Sequence, residues 1–129
     1  MVTGTPIVVR LNSKLVRYTY VDGLAYSHWC PGCKHAHTYY IQCNNHTWTF
    51  DGNIEKPTFA PSMLEFYTKK DGTRVTCCHY FLKAGIIEFL GDCSHELKGQ
   101  NIPLPDMPED YGFGGICFKD LPYGSNPPS

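Results

Sequence analysis

The chain has 129 residues, of which 42% are hydrophobic, 14% aromatic and 18% charged. That size supports one core, and the aromatic content excludes intrinsic disorder. The net charge of -1 and scattered Lys and Arg residues exclude a phosphate-binding surface, so no nucleic-acid partner is expected. No apolar run reaches the roughly 20 residues of a membrane helix, and the N-terminus carries no secretory signal pattern. A cytoplasmic location without membrane contact is therefore the expectation.

In chain order, the sequence predicts short strands and tight turns. Ile7 to Leu11 is apolar and β-branched. Leu15 to Val21 and Leu24 to Trp29 flank Asp22-Gly23, a type I′ hairpin signal. His37 to Gln42 and Thr47 to Phe50 flank Asn44-Asn45, a second hairpin signal. Met63 to Thr68 and Thr73 to Leu82 flank Asp71-Gly72, and Ile86 to Leu90 follows Ala84-Gly85. No window of eleven residues or more shows a helical period. The expected fold is a single small all-β domain, antiparallel and rich in meanders and hairpins, over residues 1–105. Residues 106–129 form an irregular C-terminal segment. From Pro103 onward lie six of the ten prolines, and the balance turns acidic, with four acidic residues and one basic from Asn101. Such a stretch resists both ladder and helix. Tyr111, Phe113 and Phe118 are expected to pin it to the domain.

Seven cysteines are many for a reducing compartment, and the odd number cannot be fully paired. Cys30-Pro31-Gly32-Cys33 is a zinc-knuckle spacing: two thiolates on a tight turn face one ion, supported by the turn's amides. A thioredoxin-like role would need a helix after Cys30, and the flanks read as strand and turn. The remaining ligands are sought among His35, His37, Cys43, Cys77, Cys78, His79, Cys93 and His95. If Ala84-Gly85 is a two-residue loop, Lys83 faces Ile86, and alternation puts Cys78 on one face with Cys93 and His95. His79 then falls on the opposite face with Asp92. One structural zinc held by Cys30, Cys33, Cys78 and either Cys93 or His95 is the expectation, with His37 an alternative ligand. Cys43, Cys77 and Cys117 read as small buried residues, and His28, His35 and His46 as turn or surface imidazoles.

The other face of that hairpin would carry a base, His79, with an orienting carboxylate, Asp92. Ser62, in the segment Pro57-Thr58-Phe59-Ala60-Pro61-Ser62, is the candidate nucleophile. Trp48 and Phe50 alternate onto one face and read as core.

The ordered set CPGC (30–33), WTFDG (48–52), PTFAPS (57–62), Cys78-His79, GIIEFLGDCSH (85–95) and Leu97-Lys98-Gly99 with Pro103-Leu104-Pro105 resembles a known family. It is a phage and bacterial domain family often mislabelled "ammonia monooxygenase". Its members accompany bacterial ubiquitin-like conjugation operons, where a peptidase role is thought to apply. The resemblance spans residues 28 to 105. It implies a zinc knuckle at Cys30 and Cys33, functional weight on Ser62, His79 and Asp92, and His95 close by; it favours His95 over Cys93 as the fourth ligand. The combined expectation is a zinc-stabilised serine hydrolase acting on ubiquitin-like or other extended peptide tails, in the host cytoplasm if phage-encoded. A non-enzymatic zinc module binding a protein through its tail, and a zinc-dependent hydrolase using His79, His95 and His37, are the alternatives.

Overall fold

A computed structural model of the chain describes residues 5–41 and 48–124. Eleven strands build it: β1 (Ile7–Arg10), β2 (Val16–Tyr20), β3 (Gly23–Cys30), β4 (His35–Ile41), β5 (Thr49–Phe50), β6 (Phe59–Thr68), β7 (Arg74–Lys83), β8 (Ile86–Phe89), β9 (Asn101–Pro103), β10 (Gly112–Phe113) and β11 (Ile116–Cys117). All pair antiparallel, in a four-stranded sheet β1-β2-β3-β4, a five-stranded sheet β5-β6-β7-β8-β9 and the small hairpin β10-β11. The all-β antiparallel expectation is met. Among the described residues there is no α-helix, and none is long and apolar enough to cross a membrane.

The two larger sheets face each other across one core. Tyr26, Cys30 and Tyr39 come from the first; Phe59, Met63, Cys78, Tyr80, Leu82, Ile87 and Phe89 come from the second. Tyr39 stacks on Phe59 at 4.3 Å and Phe59 on Phe50 at 4.6 Å, ring planes within 9°. Such pairs add about 0.5–1.5 kcal/mol each beyond area burial. Trp48 packs edge-on against Tyr39, so Trp48 and Phe50 are core-packing residues as read. The reverse face of the first sheet is covered by the C-terminal segment. There Met107, Phe113, Phe118 and Leu121 cluster with Val16 and Trp29. The tail aromatics do pin it.

The hairpin at Ala84-Gly85 has the expected two-residue loop, with Lys83 opposite Ile86. Ala84 and Gly85 have φ of 48° and 78°, the left-handed pair a type I′ turn demands. The Asp22-Gly23 reading is corrected. Tyr20 pairs with Gly23, so Val21 and Asp22 make the turn, and neither has a positive φ. The buried residues on both faces of β3 (Ala25 to His28 and Cys30) set this register rather than the turn. β9 was missed: it is a short edge strand, where a proline is tolerated. Asn44-Asn45, Cys43 and His46 lie outside the described residues, but the hairpin expected around them is corrected. β4 pairs with β3 in the first sheet and β5 with β6 in the second, and Tyr39 and Phe50 meet instead across the core, each stacked on Phe59.

Candidate active site

β7 carries Cys78 and His79 side by side, and pleating sends them to opposite faces. Cys78 is wholly buried in the core, and His79 turns outward with its side chain 25% exposed. Asp92, just beyond β8, stands on the same side. Its carboxylate oxygens lie 3.0 and 3.2 Å from His79 Nδ1. A carboxylate only accepts, so Nδ1 carries the proton and Nε2 keeps its lone pair. Nε2 is 3.2 Å from Ser62 Oγ, which donates to it. The structure thus brings together the three residues singled out in the sequence, in the order carboxylate, imidazole, hydroxyl. The proline-flanked segment that carries Ser62 runs into a strand. Ser62 sits within β6, at a register irregularity between Phe59 and Met63, where the ladder to β7 is interrupted. Such irregularities re-aim side chains.

Cys93 braces this arrangement. The His79 backbone N–H donates to its Sγ at 3.2 Å, and its thiol donates to the His79 carbonyl at 3.2 Å. The second contact requires a protonated sulfur, unlike a metal-bound thiolate.

On the core side, Cys30, Cys33, His37 and Cys78 gather their ligand atoms within 4.8 Å of one another and could hold a metal ion. Cys30 ends β3, and a tight turn returns the chain to β4. Lys34 N–H bonds the Cys30 carbonyl at 2.8 Å, Cys33 N–H points to Cys30 Sγ at 3.4 Å, and Lys34 takes a φ of 60°. The turn's amide points to a cysteine sulfur as expected, and no helix follows as a redox pair would need. His37, on β4, is buried. Neither of its ring nitrogens has a hydrogen-bond partner, and Nδ1 lies 3.6 Å from the Glu65 carboxylate. An orphaned buried imidazole beside three thiols fits a tetrahedral Cys3His centre.

The thiols cannot all ionise unaided. The hydrogen bond from Cys78 pulls Cys30 far below the ordinary thiol range. Burial, then the charge on Cys30, pushes Cys33 up to about 12. Cys78 is raised because its proton serves Cys30.

The expected fourth ligands take other positions. Cys93 and His95 gather with Cys78 in a second trio. His95 Nδ1 accepts the Leu97 N–H at 3.2 Å, so Nε2 holds the proton and donates to Cys78 Sγ, 3.2 Å away. The trio could also hold a metal ion, and bonded in this way without one the His95 ring supports the Cys78 sulfur. Gly32 makes room for it: a Cβ there would collide with the His95 ring. His37, kept as an alternative in the sequence, is the residue that joins the quartet. Sequence reasoning could not rank it first, because the contact is made between sheets. Among the described residues His79 belongs to neither metal group, and His37 and His95 fall in different ones, so these three histidines do not gather around one point.

His28 was read as a surface imidazole; it is buried. Nδ1 donates to the Trp29 carbonyl at 3.1 Å and Nε2 accepts from the Tyr80 hydroxyl at 2.7 Å. Burial, helped by His37, lowers its pKa to about 4, so it is neutral. His35 is exposed, as expected, while Cys77 and Cys117 are half-buried rather than buried.

The model of one protein family, bacterial ubiquitination-like system serine protease (BubE), matches residues 3–90. The chain belongs to this family. The match takes in Ser62, His79 and the quartet Cys30, Cys33, His37 and Cys78, and stops short of Asp92. No curated protein and no solved structure matches the chain.

Proposed function

We propose that the chain is a serine hydrolase that cleaves extended peptide tails, those of a bacterial ubiquitin-like protein foremost. The observation that carries this reading is the unbroken line of hydrogen bonds from Asp92 through His79 to Ser62. Family membership supports the reaction class, and the ubiquitin-like substrate follows only from the family's description. The cytoplasm of a bacterium, or of a phage's host, is the setting this implies. Residues 1–105 act as the catalytic domain, and the described part of the C-terminal segment, 106–124, as the strap across its back.

Ser62 Oγ attacks the scissile carbonyl carbon while His79 Nε2 takes the hydroxyl proton. Asp92 holds the tautomer and stabilises the imidazolium. The C–N bond then breaks, and the proton passes from Nε2 to the departing amine. Water, deprotonated by the same nitrogen, next releases the acyl group and restores Ser62. Backbone amides around Ser62 supply the oxyanion donors; Pro61, lacking an N–H, is not one.

Cys30, Cys33, His37 and Cys78 would hold zinc, with Glu65 as the outer partner of His37. A closed thiolate-rich centre of this kind supplies structure rather than Lewis acidity. It ties the first sheet to β7 at the residue next to the base. Ser62→Ala is expected to lower hydrolysis of p-nitrophenyl acetate and of casein peptides by about 10⁴-fold or more, with metal content and melting temperature unchanged. Retained hydrolysis would refute the nucleophile.

A further inference from the structure

The triad residues stand on successive strands. Asp92 follows β8, His79 is on β7 and Ser62 is on β6, so the line through them leads out of the sheet across its β6 edge. β5 covers that edge only in part, pairing with Phe59 and Ala60. Among the described residues, no strand pairs with β6 on that side beyond Ala60.

The direction of the backbone groups on this edge follows from bonds on the other side of β7. His79 donates its N–H to Cys93 and offers its carbonyl to the Leu90 N–H at 2.9 Å, both toward β8. Leu64 is the residue opposite His79 on β6. Opposed residues in an antiparallel pair either exchange both hydrogen bonds or turn both groups away from each other. Leu64 therefore directs its N–H and C=O outward. The Ser62 carbonyl points to the same edge, where the Trp48 indole N–H reaches it at 3.3 Å. Alternation places the Ser62 and Leu64 side chains on the face that carries His79. The edge next to the nucleophile thus offers a main-chain donor and acceptor at strand spacing. Exposed apolar surface continues beyond it at Phe66 and Tyr67, 49% and 53% accessible.

We propose that the substrate adds to this edge as an extended strand, with the Leu64 N–H and C=O as its main-chain clamp. The proposal rests on the hydrolase reading above. A peptide so placed has its scissile carbonyl on the side of Ser62 remote from His79, the approach the Oγ attack needs. Strand addition draws affinity from backbone hydrogen bonds, so it selects an unfolded segment of about four to six residues rather than a folded surface.

The test uses Leu64→Pro, which removes an outward N–H and no ladder bond to β7. The substrates are p-nitrophenyl acetate and the best-cut peptide from a casein digest. The expected result is at least a tenfold greater loss of kcat/KM on the peptide, mainly through KM, than on the ester. Equal peptide cleavage by both proteins overturns the proposal, as does a wild type that turns over the ester but cuts no peptide. A wild type inert to both removes the hydrolase reading itself. Should Leu64→Pro fail to fold, the wild type is given versions of that peptide N-methylated one residue at a time. Loss of cleavage at alternate positions supports the edge strand, and uniform tolerance overturns it.

Discussion

Cys78 and His79 are neighbours in the chain and live in different solvents. One side of β7 faces the core, where three thiols and a buried imidazole with no hydrogen-bond partner crowd together. The other faces water, where a half-exposed carboxylate aligns an imidazole with a hydroxyl. The residue types overlap, and burial separates their chemistry. In the core, charge is tolerated only if a cation neutralises it. At the surface, a neutral histidine keeps a free lone pair and can accept a proton. The Asp92-Cys93 pair repeats the pattern, its carboxylate on the outer side and its thiol against the His79 backbone.

The sharpest way to break the contrast is to remove one side and watch the other. Loss of the Ser62 hydroxyl, with its expected drop of about 10⁴-fold or more, leaves the core side untouched. Cys78→Ser acts the opposite way. It should release the metal and destabilise the fold by several kcal/mol, so that hydrolysis fails together with folding; chelation of the wild type should do the same. Metal analysis alongside chemical denaturation checks this, and a metal-free Cys78→Ser protein of full stability would contradict it.

How much of this could be read from the chain depended on whether a contact was made within one hairpin or between sheets. The Ala84-Gly85 loop length decides which residue of each doublet faces the core, and alternation carries that choice to Asp92 and Cys93 without further information. Ser62 was found by motif, although its place in an irregular strand was not. His37 and His28 meet their partners across the sandwich, where local periodicity is silent. At Val21-Asp22 a good turn dipeptide lost to a strand buried on both faces. His95 sat near the quartet as expected, but only the Leu97 N–H reveals that it supports a sulfur.

A smaller effect tests burial, with the help of His37. Neutral His28 has its pKa lowered to about 4, against about 6.5 in the unfolded chain. Below pH 6.5 the unfolded chain takes up a proton that the native state refuses. Stability should therefore fall as the pH drops from 6.5 to 4, by roughly 3 kcal/mol from this residue. His28→Gln, which keeps an acceptor for Tyr80, should flatten that slope in urea titrations; parallel curves for the two proteins would contradict it. Asp92→Asn should have the mildest effect, about 10²-fold in kcat, because water partly screens an exposed carboxylate. Measured ester turnover with unchanged KM would agree, and full activity would remove Asp92 from the triad.

The account stands most directly on whether Ser62 is an activated nucleophile. Incubation of the wild-type protein with a fluorophosphonate, followed by intact-mass and peptide mapping, should show one adduct on Ser62 that His79→Gln abolishes. An adduct on another residue, or none on the metal-loaded protein, would contradict it.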